Sequence, residues 1–132
     1  WSSESLWRKR NKLMNHWSTP LCKDGYLYGM FSFKKDGDGP LACVDITTGE
    51  VKWSEPGYGP GNCILGGEEL IALTDAGEVV VVKAKPEAYE ELGRTHVLSG
   101  KCWSSPTFSD GRLFVRSTTQ GAMVPMNAGG SR

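Results

Sequence analysis

The sequence predicts an all-β fold made of repeated four-stranded antiparallel sheets, and three observations carry that expectation. One motif recurs at a fixed offset, turn dipeptides punctuate the copies, and helix signals are scarce. The chain has 132 residues, of which 17 are glycine and 5 are tryptophan, and its formal net charge is zero. Many glycines with scattered aromatics suit short strands joined by tight turns. A balanced charge argues against nucleic acid or an anionic membrane as partner. No stretch is apolar for long enough to cross a membrane as a helix. The chain begins at Trp1 and ends in the polar, glycine-rich residues 127–132. This reads as a piece of a longer protein, with no targeting signal expected inside it.

The repeat decides the architecture. Trp17-Ser18-Thr19-Pro20 returns as Trp103-Ser104-Ser105-Pro106, and Asp24-Gly25-Tyr26-Leu27 returns as Asp110-Gly111-Arg112-Leu113, all at an offset of 86 residues. Half that offset leads from Leu27 to Leu70 and on to Leu113. A period of about 43 residues is the size of one four-stranded blade of a β-propeller. Blades are expected at 15–53, 60–100 and 102–127, inside one partial domain over 1–132, with 1–14 ending a preceding blade. Three blades leave the ring incomplete.

Each copy reads as a hairpin followed by a further strand. Asp24-Gly25 and Asp110-Gly111 tolerate the positive φ of a tight turn, and Gly66-Gly67 meets the same need in the middle copy. Second strands follow at Tyr26 to Phe31, Leu70 to Thr74 and Arg112 to Ser117. Second turns are expected at Asp36-Gly37-Asp38-Gly39, Thr74-Asp75-Ala76-Gly77 and Thr118-Thr119-Gln120-Gly121. Third strands are then Leu41 to Asp45, Glu78 to Lys83 and Ala122 to Asn127. Val79-Val80-Val81-Val82 is apolar on both faces, so neighbours should cover it on both sides. A short helical insertion is expected at Pro86-Glu87-Ala88-Tyr89-Glu90-Glu91-Leu92, with Pro86 and the acids at its start and Gly93 at its stop. The middle blade's fourth strand would then run from Thr95 to Ser99.

The tryptophans give the sheets a means of joining. In Cys43-Val44-Asp45-Ile46-Thr47-Thr48-Gly49-Glu50-Val51-Lys52-Trp53, Asp45 and Thr48 can hydrogen-bond the backbone of a turn. Gly49 supplies positive φ there. Trp53 then falls on an outer strand, where it can pack flat on the next blade and cover about 150–250 Å². Trp7, about one period earlier, takes the same place for the preceding blade, and Trp17 and Trp103 are further blade-closing candidates.

This segment resembles the tryptophan-docking motif of propellers first described in pyrroloquinoline-quinone (PQQ) enzymes, A-x-D-x-x-T-G-x-x-x-W, with Cys43 in place of the alanine. The order of Trp7, Asn15-His16-Trp17-Ser18-Thr19-Pro20, the docking motif, Glu87-Ala88-Tyr89-Glu90-Glu91-Leu92 and Cys102-Trp103-Ser104-Ser105-Pro106 is similar to bacterial secreted PQQ-like repeat proteins. Those are relatives of the propeller lipoprotein of the outer-membrane β-barrel assembly machinery. The resemblance implies a periplasmic or extracellular place. It also implies a non-catalytic, scaffolding role whose partner is another protein or the remaining blades. An isolated piece would be expected to self-associate through its edge strands.

Two alternatives stand beside that reading. One is a part of a PQQ-dependent oxidoreductase. The resemblance implies that such an enzyme holds the quinone between a Trp and a disulfide of adjacent cysteines, with bound calcium and an Asp base. No two of Cys22, Cys43, Cys63 and Cys102 are adjacent, and no Asp fits that base by motif. No cofactor and no metal are therefore expected in these residues. The other alternative is a propeller face that binds carbohydrate or a cell surface.

Other motifs have ordinary readings. No C-x-x-C pair exists, so zinc and thioredoxin-type chemistry are not indicated, and buried free thiols are the expectation. Asp36-Gly37-Asp38-Gly39 lacks the later ligands of a calcium loop. Gly57-Tyr58-Gly59-Pro60-Gly61-Asn62 lacks a dinucleotide-binding context and reads as a flexible crossing between blades. His16 and His96 share no repeat position, and Arg8-Lys9-Arg10-Asn11-Lys12 reads as a solvated basic loop. Among Tyr26, Tyr28, Phe31, Phe33 and Tyr58, one or two are expected at an interface and Leu27 in the core.

Overall fold

A computed structural model describes residues 1–9, 13–31 and 39–126. Among them are eleven strands and no helix. Blade one holds β1 (Leu21–Lys23), β2 (Tyr26–Met30), β3 (Leu41–Asp45) and β4 (Val51–Glu55) in sequential order. Blade two holds β5 (Asn62–Gly66), β6 (Glu69–Leu73), β7 (Glu78–Lys83) and β8 (Glu91–His96), again in order. Blade three holds β9 (Thr107–Ser109), β10 (Arg112–Arg116) and β11 (Gly121–Pro125). All pairings are antiparallel.

The first turns follow their chemistry. Asp24 and Gly25 have φ of 50° and 82°, and Asp110 and Gly111 have φ of 50° and 72°. Positive φ at both central residues is the type I′ hairpin, whose twist matches that of paired strands. In blade two the loop sits one residue later than Gly66-Gly67. Gly66 pairs with Glu69, so Gly67 (φ 63°) and Glu68 form the turn. The turn Asp36-Gly37-Asp38-Gly39 lies outside the described residues, save for Gly39.

Alternate strand positions face opposite neighbours, and this builds two cores. Leu70, Ala72, Val80 and Val82 of blade two join Tyr28, Met30, Leu41, Cys43 and Trp53 of blade one. Ile71, Leu73 and Val79, on the other face, join Leu113 and Val115 of blade three. The valine run is thus covered on both sides, which is why it is apolar throughout.

Three expectations are corrected. Residues 86–92 form no helix; Glu91 and Leu92 already belong to β8. The β7 edge needs a partner from Val82↔Glu91 to Glu78↔His96. That ladder, with Tyr89 drawn onto Trp53 at 5.6 Å between ring centroids, outweighs a helix too short to be stable alone. For the same reason the fourth strand is Glu91–His96, not Thr95 to Ser99. The crossing at 57–62 is packed, not flexible. Tyr58, Gly59, Pro60 and Gly61 are buried, and a Cβ on Gly61 would overlap the Leu73 carbonyl.

The crossings obey the repeat at the level of single hydrogen bonds. Asp75 N donates to Tyr58 O at 3.1 Å, and 43 residues on Thr118 N donates to Lys101 O at 3.0 Å. Gly59 N donates to Gly39 O at 2.9 Å, and its counterpart Cys102 N donates to Asp75 O at 3.0 Å. Each crossing is thereby tied to the second turns of the blades it joins.

Candidate functional site

Two constellations stand out, one at the seams between blades and one where the first strands converge. At the first, Asp45 Oδ1 accepts the backbone N–H groups of Thr47 at 2.8 Å and Thr48 at 2.9 Å. These bonds, led by Thr48, hold the Asp45 carboxyl below its usual range. Glu50 N donates to Thr48 Oγ1 at 3.2 Å. Gly49 sits at φ 69°, and a Cβ there would run into the Trp7 ring. Trp7 lies on this turn and donates its indole N–H to Ile46 O at 2.8 Å.

Trp53 repeats that arrangement one blade later. Its Nε1 donates to Lys85 O at 2.7 Å, across the seam to blade two. A bulge at Cys43/Val44 sets Trp53 opposite Cys43, and the ring is only 8% exposed. The matching bulge at Val81/Val82 sets Gly93 opposite Val81, so the corresponding place in blade two has no side chain. Around Trp53, Tyr58 and Tyr89 share a hydroxyl–hydroxyl bond of 2.8 Å, and Tyr89 donates to Glu91 at 2.6 Å. Arg94 bonds Glu78 and Glu91 and lies 5.5 Å from the Tyr58 ring centroid. Burial, then the Tyr89 bond, pushes the Tyr58 hydroxyl well above its usual range.

The second constellation comes from the lead-in segments. Trp17, Pro60 and Trp103 are equivalent positions, spaced by the repeat of 43 residues. Trp17 Nε1 donates to Pro60 O at 2.7 Å, and Asn62 Nδ2 donates to Trp103 O at 2.8 Å. Ser18 and Ser104, also equivalent, donate to Met30 O at 3.4 Å and Arg116 O at 3.3 Å. Trp17 and Trp103 meet at 5.0 Å between centroids, although blade two separates their sheets. First strands that converge on a common axis explain that contact. The His16 ring lies 4.0 Å from that of Trp17 at a tilt of 57°, and Lys101 Nζ sits 5.0 Å from the Trp103 ring. The two indoles stay 37% and 41% exposed. Beside them a cleft of about 160 Å³ is lined by Lys101, Trp103, Ser104, Arg116, Ser117 and Thr118.

The remaining candidates are dispersed. His96 lies on β8, paired with Glu78, away from the lead-in segment that carries His16. All four cysteines are free; Cys43, Cys63 and Cys102 are buried and Cys22 is exposed. Burial pushes the Cys43 thiol up to about 11 and the Cys63 thiol up to about 12, far from reactive thiolate. Tyr28 and Tyr58 are core residues, Leu27 is half-buried, and Phe33 lies outside the described residues. Arg8 and Lys9 are exposed, and the rest of that basic run is likewise outside. Among the described residues no three His, Cys, Asp or Glu side chains group to hold a metal. No helix among them is long and apolar enough to cross a membrane.

Radially packed antiparallel sheets of four, four and three strands, with first strands converging, define part of a β-propeller. The fold is similar to that of BamB from Moraxella catarrhalis, with a TM-score of 0.52 over 80% of this chain at 18% identity. The chain spans 41% of that protein. No family profile and no curated protein matches the sequence.

Proposed function

We propose that this chain is a segment of a PQQ-like propeller that binds another protein, in the periplasm or outside the cell, without catalysis of its own. The Trp17–Trp103 pair carries this reading. Large apolar rings left about two-fifths exposed, one of them held by the Trp17 indole bond to Pro60 O, are the type of anchor that protein interfaces favour. Lys101 beside them adds a charge at the rim. The propeller likeness to BamB supports a binding module, and the sequence resemblance supports the location. Within this reading, Asp45, Thr48 and Gly49 form a dock for Trp7, and Trp53 docks in the same manner on blade two. The open strand edges make self-association of the isolated chain part of the same proposal.

A pull-down from a bacterial envelope extract tests it. The wild type should recover a protein partner that Trp103→Ala binds about tenfold more weakly, a loss of about 1.4 kcal/mol. The variant's melting curve should change little, since the ring is partly exposed. Recovery of no protein, alongside dye reduction that depends on added PQQ and calcium, would refute the reading.

A further inference from the structure

The seam between blades one and two holds a cavity of about 410 Å³, lined by Tyr26, Lys52, Pro86 and Glu87. Two local features build it. The bulge in blade one pairs Val44 with Val51 and Cys43 with Trp53, so Lys52 stands opposite no residue. A bulge re-aims a side chain, and here it brings Lys52 to the seam beside its neighbour Trp53. In blade two the crossing between β7 and β8 covers residues 84–90, two residues longer than the crossing at 46–50 in blade one. Trp53 holds that crossing at Lys85 O, and the residues that follow, Pro86 and Glu87, form the facing wall.

The polar groups of this cavity are not spent on one another. Lys52 reaches only Glu50, on its own turn, at 3.8 Å. The Glu87 carboxylate and the Tyr26 hydroxyl make no hydrogen bond or ion pair among the described residues. Both charges act on the strand beneath: burial raises the Cys43 thiol most, Tyr28 and Lys52 oppose that rise, and Glu87 adds to it. Tyr26 packs its ring against the first core, and Pro86 is half-buried. The repeat does not ask for a charge at this place, because the extra residue of the blade-two bulge is Leu92.

We infer that this cavity binds a small zwitterion of dipeptide size, with its carboxylate on Lys52, its ammonium on Glu87 and its apolar side chain between Tyr26 and Pro86. A neutral ligand would strip water from two opposite charges and return no charge to either. A ligand with one charge of each sign satisfies both walls through charge-assisted hydrogen bonds, which are about twice as strong as neutral ones. The volume is that of an ordinary small-ligand pocket. The site is separate from the Trp17–Trp103 pair and does not depend on a protein partner.

Titration calorimetry of the full chain with glycyl-L-phenylalanine tests it. The wild type should bind with a dissociation constant on the order of 0.1–1 mM. Acetylation of the dipeptide's amine, or amidation of its carboxylate, should each weaken binding about tenfold. Glu87→Gln should weaken binding of the free dipeptide about tenfold and leave that of the acetylated form unchanged; Lys52→Met should do the same with the amidated form as control. Both residues are exposed, so both variants should melt as the wild type does. No binding, equal binding of the blocked forms, or binding of maltose in place of the dipeptide would each overturn the inference. A failed pull-down would leave these outcomes untouched.

Discussion

The two seams of this molecule join similar sheets by different means. Between blades one and two, Trp53 crosses the seam to Lys85, Tyr58 and Tyr89 share a hydrogen bond, and aromatic rings fill the gap. Between blades two and three, Gly93 stands at the tryptophan position and β8 is exposed along its whole length. There the contact is aliphatic: Ile71, Leu73, Val79 and Leu98 against Leu113 and Val115. The repeat therefore fixes the sheets and their spacing, while the manner of joining is chosen seam by seam. Apolar burial packs the second seam, and at the first Trp53 adds a directional hydrogen bond from β4 to Lys85 of blade two.

That contrast can be broken in several ways. Trp53→Ala empties a buried site at the first seam and should cost about 3–5 kcal/mol, read as a fall in melting temperature. A change of only a few tenths would show that the tryptophan is not holding the seam. Leu113→Ala attacks the second seam, where no ring compensates, and should cost about 2–5 kcal/mol. Combined with Trp53→Ala, its effect should be additive, because the side chains share no partner; strong coupling would mean that the seams are not independent. Tyr89→Phe leaves the buried Tyr58 hydroxyl without its partner and should cost about 1–3 kcal/mol in denaturant unfolding.

The smallest effect concerns pH. The folded Asp45 carboxyl titrates below its unfolded value, so its stabilisation is present above that value and is lost as pH falls through the folded pKa. Asp45→Asn should flatten the acid limb of the stability curve slightly below about pH 4. An unchanged acid limb would count against the turn.

Much of the scaffold was legible in the sequence because it rests on local rules. Asp-Gly dipeptides marked both type I′ turns, and Leu70 and Leu113 marked buried strand positions. The failures came where tertiary contact overrode local preference. Pro86 and its acids suggested a helix, but the free edge of β7 and the Trp53–Tyr89 contact claimed that segment. The glycines at 57–61 suggested freedom, whereas they allow close approach of packed backbone. The Trp17–Trp103 contact was not foreseen, although their offset of 86 residues marks them as equivalent positions two blades apart. Only convergence of the first strands brings them together, and no local signal encodes that.

The central claim, that Trp53 is locked across the first seam, is open to direct observation by hydrogen exchange of the indole N–H groups in protein labelled with ¹⁵N-tryptophan. The Trp53 indole N–H, bonded to Lys85 O, should be protected to the level of the β6 and β7 core amides. The Trp103 indole, 41% exposed, should exchange much faster. Exchange of Trp53 at the rate of Trp103 would contradict the account.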